Sequence, residues 1–106
     1  MDTLGSRFFA LSDSTRRSIL QQLTDRGPAC VGELAAPFDL SLNAVSKHIK
    51  ILEGAGFVQR RRKGRQFVLE ARVEPLRDIA QWMHRYERYW NRQLDPLESV
   101  FTKKGA

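Results

Sequence analysis

Residues 41–58 read SLNAVSKHIKILEGAGFV, and this stretch decides the fold. Apolar side chains recur in it at i, i+4 and i+7, a spacing that places them on one face of an α-helix; they are Val45, Ile49 and Leu52. Ser41 is a favourable N-cap, because its hydroxyl can accept a hydrogen bond from a free amide of the first turn. The glycines at positions 54 and 56 supply the stop signal. The stretch therefore predicts a helix over residues 42–54 with a narrow stripe that faces the core.

The outward face of this helix is polar and carries Asn43, Ser46, Lys47 and Lys50. Asn can pair bidentately with adenine, Lys can donate to guanine, and Ser accommodates either partner. An ordinary solvated face contains the same residue types, so no single one of them decides between the two interpretations. The four together, after a capped turn, favour contact with DNA. His48 flanks the core stripe and is expected to be structural or to contact a phosphate.

Helical spacing upstream predicts three further helices, over about residues 3–11, 14–24 and 31–36. Gly27 and Pro28 end the second of them, and Pro37 prevents a smooth continuation of the third. A short helix, a turn and the helix at 42–54 form a helix-turn-helix over residues 31–54. In that motif the second helix enters the major groove while the first braces it across the backbone.

After Gly56 the pattern changes from helical to extended, and residues 57–70 read as a two-stranded hairpin, or wing. Its tip is strongly basic and contains Arg60, Arg61, Arg62, Lys63 and Arg65, with the turn expected at Lys63-Gly64. Such a tip can be simply a charged, solvated turn. A phosphate backbone would, however, relieve the mutual repulsion of so many cations, so contact with phosphates or the minor groove is favoured.

Residues 74–101 show one long helical pattern with a wide aromatic face. Leu76, Met83, Trp90 and Leu97 recur every seven residues, and Pro96 is expected to kink the helix or start a new one. The face can pack back on its own domain, but it is broad for a soluble monomer to leave exposed. A two-fold pairing with a second copy is the favoured interpretation. The predicted dimer interface comprises Leu4, Phe8, Met83, Tyr86, Trp90, Leu94 and Leu97.

The overall composition sets limits on the class of protein. The 106 residues fit a single domain over 1–106, and a formal net charge of +6 suits a polyanionic partner. Cys30 is the only cysteine, and no signal peptide or membrane-spanning run is evident, so a soluble cytoplasmic protein is expected. No phosphate-cradling glycine loop or catalytic constellation with recognisable spacing is present, and therefore neither an enzyme nor a cofactor is predicted.

The sequence resembles the ArsR-type family of bacterial winged helix-turn-helix transcription factors. The matching stretches are FFALSDSTRRSILQQL, VGELAAPFDLSLNAVSKHIKILEGAGFV and RRRKGRQFVL. The resemblance implies a mainly α fold with a small β-hairpin, a homodimer formed by the first and last helices, and repression by occupation of an operator. It places DNA contact on Asn43, Ser46, Lys47, His48 and Lys50, with support from Arg62, Lys63 and Arg65 in the wing. The full predicted DNA-binding set adds Ser41 and Arg60.

Two departures from the family pattern are visible. Leu42 stands where many relatives carry a polar residue, commonly Gln, which argues against a base contact there. The metal-sensing signature is also missing, because the bracing helix reads ELAA where sensing relatives carry Cys. Asp78, His84 and Glu87 do not match the spacing of the family's other metal sites. No metal is predicted, and the sequence does not indicate an effector.

One rival interpretation keeps the same fold. A winged helix can serve as a protein-interaction module, whose recognition face is expected to be apolar or acidic beside a neutral wing. This sequence instead has a basic recognition face and a basic wing, which is the opposite of what a protein-interaction module is expected to show. The sequence therefore predicts a double-stranded DNA-binding transcriptional regulator that acts as a homodimer on an inverted repeat.

Overall fold

The computed structural model describes residues 2–93, arranged as six helices and one two-stranded antiparallel sheet. The elements are α1 (Thr3–Leu11), α2 (Ser14–Arg26), α3 (Val31–Ala35), α4 (Leu42–Gly54), β1 (Val58–Lys63), β2 (Gln66–Ala71), α5 (Glu74–His84) and α6 (Glu87–Gln93). This order is the winged helix-turn-helix predicted from the sequence, with α3 and α4 as the helix pair and β1–β2 as the wing.

The helix starts follow the local chemistry of the sequence. The side chains of Asp2, Asp13 and Ser41 accept hydrogen bonds from the amides of Gly5, Arg16 and Ala44, which caps α1, α2 and α4. α2 runs two residues further than predicted, to Arg26. It ends at Gly27, whose φ of 91° suits glycine and whose amide donates to the Leu23 carbonyl.

A single core lies where the helices meet the base of the wing. Its largest fully buried side chains come from α2, α3, α4, β2 and the segment before β1; they are Phe57, Ile19, Leu34, Ile49, Leu52, Leu69 and Val45. Ile79 extends this core to α5. The stripe predicted for the helix at 42–54 is therefore buried as expected, and it fixes which side of α4 faces solvent.

The wing is joined to the core by backbone hydrogen bonds. Val58 pairs with Ala71 at its base and Lys63 with Gln66 at its tip. Ala29, between α2 and α3, exchanges two backbone hydrogen bonds with Leu69. The base of the hairpin is thus held to the helical part of the molecule, while its tip projects.

The predicted turn at Lys63-Gly64 is wrong by one residue. The register places the two-residue loop at Gly64 and Arg65, with a positive φ of 64° only at Gly64. A positive φ at the first loop position alone is the pattern of a type II′ turn, which requires glycine there.

The single long helix predicted over residues 74–101 is also wrong within the described part. α5 ends at His84, and α6 begins at Glu87. At the break the amides of Arg85 and Tyr86 donate to carbonyls three residues back, so the backbone tightens for one turn before the helix resumes. Leu94, Pro96 and Leu97 lie outside the described residues.

Candidate nucleic-acid interface

The solvent-facing side of α4 presents the polar residues that the sequence predicted there. Asn43, Lys47 and Lys50 are exposed, and Ser46 is half-buried. Val45, Ile49 and Leu52 on the other side are completely buried, which prevents the helix from rotating about its axis without exposing the core. The burial of one face therefore determines which polar side chains are presented.

The N-terminus of α4 combines a cap with an exposed leucine. The Ser41 hydroxyl accepts from the Ala44 amide at 3.1 Å, so this side chain already stabilises the first turn. Leu42, the first residue of the helix, is 60% exposed although it continues the heptad spacing of the core stripe. The buried core does not extend as far as the first turn of α4, so Leu42 lies on the surface beside Asn43.

His48 points partly into the protein. Its side chain is 23% exposed, and its Nδ1 lies 3.2 Å from Arg16 Nη1 and 3.8 Å from Asp13 Oδ2. The ring thus connects α4 to the first turn of α2.

Arg16 is a buried cation that the sequence analysis did not single out. It is 6% exposed, its Nε and Nη2 donate to the carbonyls of Ala10 and Phe9 at 2.7 and 2.9 Å, and its guanidinium lies over the Phe9 ring. The neighbouring Asp13 has a lowered pKa, chiefly because the Arg16 amide donates to its carboxylate. The sequence does show an arginine three residues after a capping aspartate. The groups that Arg16 contacts, however, come together only when the chain folds.

Arg60 connects the wing to α4. Its Nη2 and Nε donate to the two carboxylate oxygens of Glu53 at 2.8 and 3.3 Å, in a bidentate pair near the end of α4. This pairing raises the pKa of Arg60 and links the wing to α4. Arg60 was predicted to contact DNA, and the structure places it within the protein's own ion pair.

The tip of the wing carries three cations that have no acidic partner among the described residues. Arg61 pairs with Glu70 at 2.7 Å, whereas among residues 2–92 no carboxylate pairs with Arg62, Lys63 or Arg65. All three are exposed, and the Arg62 guanidinium lies 5.8 Å from the centre of the Phe67 ring. Three unneutralised cations at a projecting tip suit a polyanion such as a phosphate backbone.

A second exposed surface is aromatic and lies on α1 and the C-terminal helices. Phe8 and Trp82 meet edge to face at 5.5 Å, and Trp82 contacts Tyr86 at 5.2 Å. Phe8, Met83 and Tyr86 are between 40% and 44% exposed, whereas Leu4 and Trp90 are half-buried. An ion pair between Arg7 and Asp78 ties α1 to α5 beside this surface.

The acidic and imidazole groups of α5 and α6 are engaged in pairs. Asp78 contacts Arg7, and His84 Nδ1 lies 2.5 Å from Glu87 Oε2. Within residues 2–93 no three or more His, Cys, Asp or Glu side chains are grouped as metal ligands would be. Over the same residues, no helix has the length and apolar character needed to cross a membrane.

Comparison with known proteins agrees with this architecture. A family model described as a helix-turn-helix domain matches residues 11–61. The chain is 35% identical to the HTH-type transcriptional regulator Rv2034 of Mycobacterium tuberculosis, over 91% of this chain and 86% of that protein. It is 36% identical to the transcriptional repressor SdpR of Bacillus subtilis, over 72% of this chain and 83% of that protein. The crystal structure of an ArsR family transcriptional regulator, RHA00566, superposes with a TM-score of 0.77 at 38% identity, covering 85% of this chain and 98% of that one.

Proposed function

Because the chain belongs to the ArsR family of winged helix-turn-helix transcriptional regulators, we propose that it represses transcription by binding an inverted-repeat operator as a homodimer. It is a DNA-binding regulator and not an enzyme.

One observation carries the proposal. The exposed side of α4 and the unpaired cations of the wing tip lie on elements that contact each other directly, because Arg60 on β1 donates to Glu53 on α4. A recognition helix in the major groove needs its flanking wing at a fixed position to reach the adjacent backbone. The Glu53–Arg60 pair and the buried Phe57 between the two elements supply that fixed position.

The two parts of this unit have different tasks in the proposal. Asn43 and Lys47, in the N-terminal half of α4, carry side chains that can hydrogen-bond to base edges. Ser41, Ser46, His48 and Lys50 support them at or near the sugar-phosphate backbone. The wing residues Arg62, Lys63 and Arg65 contribute affinity that does not depend on sequence, whereas Glu53 neutralises Arg60.

Dimerisation would bury the aromatic surface on α1 and the C-terminal helices. An isologous pairing matches that surface with itself and presents two α4 helices roughly 34 Å apart, one turn of DNA. We propose that the interface comprises Leu4, Phe8, Met83, Tyr86 and Trp90, and that the dimerisation segment extends over residues 74–101 to include Leu94 and Leu97. The helix-turn-helix at 31–54 and the wing at 57–70 then complete a single domain over residues 1–106.

Repression in the cytoplasm would result from occupation of an operator. SdpR is named as a repressor, and a dimer that covers a promoter excludes other proteins from it. No metal takes part in the proposal, so DNA binding is expected to be the same with and without a chelator.

The experiment that tests the proposal is selection of duplexes from a random pool by the purified protein, followed by sequencing. Enrichment of an inverted repeat with half-site centres about 10 base pairs apart is the expected result. A pool that stays random after several rounds would contradict sequence-specific binding and would favour a protein-interaction module. Enrichment of single half-sites would contradict the dimer.

A further inference from the structure

Arg16 is the only charged residue among those described that the fold buries. Three of its guanidinium nitrogens have acceptors. Two of these are the carbonyls of Phe9 and Ala10 at the end of α1, and the third is Nδ1 of His48 on α4, at 3.2 Å. This buried guanidinium joins three helices and restricts the orientation of each of its acceptors. For the His48 ring it also restricts which nitrogen can carry a proton.

The restriction on His48 comes from the chemistry of arginine. A guanidinium has donors and no acceptor, so an imidazole nitrogen that contacts it must be the unprotonated one. In a neutral His48 ring this contact makes Nδ1 the acceptor, which leaves the proton on Nε2. The carboxylate of Asp13 lies 3.8 Å from the same Nδ1, beyond hydrogen-bond distance, and it already accepts from the Arg16 amide at 3.0 Å.

We infer that Arg16 is a positioning residue that holds His48 as the Nε2–H tautomer, and that this Nε2–H donates to a phosphate of the bound DNA. The inference rests on the proposed function, because it assigns one contact within that interface. A phosphate offers only acceptors, so the opposite tautomer, with a lone pair on Nε2, would repel it. His48 follows the exposed Lys47 on α4 and keeps 23% of its side chain accessible, so its ring is part of the surface that the proposed function assigns to DNA.

The first test measures the tautomer in the free wild-type protein by the nitrogen-15 chemical shifts of the histidine rings at about pH 8, above the usual histidine pKa. His84 provides the internal comparison, since it is the only other histidine and its Nδ1 faces the Glu87 carboxylate, which needs a proton on Nδ1. We expect a protonated Nε2 for His48 and a protonated Nδ1 for His84. A proton on Nδ1 of His48, or an even mixture of tautomers, would overturn the inference.

The second test places the contact on the DNA. Neutral methylphosphonates are introduced one at a time into a selected duplex, and wild type is compared with His48→Ala and His48→Gln. A single hydrogen bond to an anionic phosphate oxygen predicts a loss of at least roughly tenfold in affinity for His48→Ala, equal on selected and random duplex. His48→Gln should recover most of it, because the glutamine amide can donate from a similar position. Wild type should be sensitive at one phosphate to which His48→Ala is indifferent.

The outcomes separate this inference from the proposed function. Identical methylphosphonate profiles for wild type and His48→Ala would overturn the phosphate contact while leaving sequence-specific binding intact. A wild-type protein that selects no duplex would overturn the proposed function, and with it the phosphate contact. The tautomer measurement needs neither DNA nor a variant, so its result stands in either case.

Discussion

Asp13 lies between α1 and α2 and has two roles. Its carboxylate accepts from the Arg16 amide and caps α2, and it lies close to the His48 ring of α4. The pKa of Asp13 is lowered mainly by the hydrogen bond from that amide, which favours the charged form in the folded state. A lowered carboxylate pKa stabilises the fold above the unfolded value, and the stabilisation is lost as the pH falls through the folded value.

We expect Asp13→Ala to lower the free energy of unfolding by about 1 kcal/mol at neutral pH, the usual contribution of an N-cap. The difference from wild type should shrink as the pH falls below the ordinary aspartate pKa of 3.8, because the wild-type carboxyl then becomes protonated. Urea unfolding at several pH values measures this. Asp13→Asn is the matched control, since it keeps a cap but cannot titrate. A difference that stays constant down to pH values well below 3.8 would contradict the role of the charge.

Local signals at single residues were predictable, and contacts between distant residues were not. The Ser41 cap and the stripe of Val45 and Ile49 depend on neighbours within one or two turns. The burial of Arg16 depends on carbonyls six and seven residues away and on a ring 32 residues away. Arginine is seldom buried without such partners, and the partners exist only after the helices have packed.

Among the elements, α4 and the wing are joined by the ion pair between Glu53 and Arg60. Their side chains are 26% and 36% exposed, so the ion pair contributes little to stability, up to about 1 kcal/mol. Its larger effect is on charge, because Glu53 neutralises one cation beside the proposed DNA surface.

We expect Glu53→Gln to strengthen binding to random duplex and to steepen the salt dependence by about one unit, since Arg60 then becomes available to a phosphate. Fluorescence anisotropy over a series of salt concentrations measures both quantities. Glu87→Gln removes the same charge from α6 and should leave the slope unchanged. Equal slopes for wild type and Glu53→Gln would show that Arg60 does not reach the DNA.

The helices and strands were predicted more accurately than the connections between them. Helical and extended periodicities placed α1, α4 and the hairpin, because each has its own pattern and its own cap or glycine. The hairpin turn was predicted one residue too early, since the position of the turn depends on the strand register rather than on the Lys-Gly pair. The break between α5 and α6 has no proline or glycine to mark it, so a continuous pattern of apolar residues hid it.

The whole molecule presents two surfaces of different chemistry. The basic surface on α4 and the wing suits a polyanion, and the aromatic surface of Phe8, Met83 and Tyr86 suits another apolar surface. The sequence indicated both surfaces, because charge and aromatic content are visible without a fold. The pairing of two copies depends on contacts between chains, and it remains a prediction.

We expect Tyr86→Asp to weaken the dimer by about 2 kcal/mol, or roughly thirtyfold in Kd, because it places a charge beside Trp82 in the proposed interface. Sedimentation equilibrium measures the change. Phe67→Asp is the matched control, since Phe67 is 49% exposed but lies on the wing. The assigned interface is wrong if Tyr86→Asp sediments as the wild-type dimer does.

The most direct test of sequence-specific DNA recognition by α4 is the ratio of affinities for the selected duplex and for random duplex, measured at one salt concentration. Lys47→Ala should cost about 1–3 kcal/mol on the selected duplex and lower the ratio, because Lys47 is assigned to a base edge. Arg62→Ala should weaken both affinities alike and leave the ratio unchanged, since the wing is assigned to phosphates. An unchanged ratio for Lys47→Ala, with equal losses on both duplexes, would contradict the assignment of α4 as the element that reads the operator.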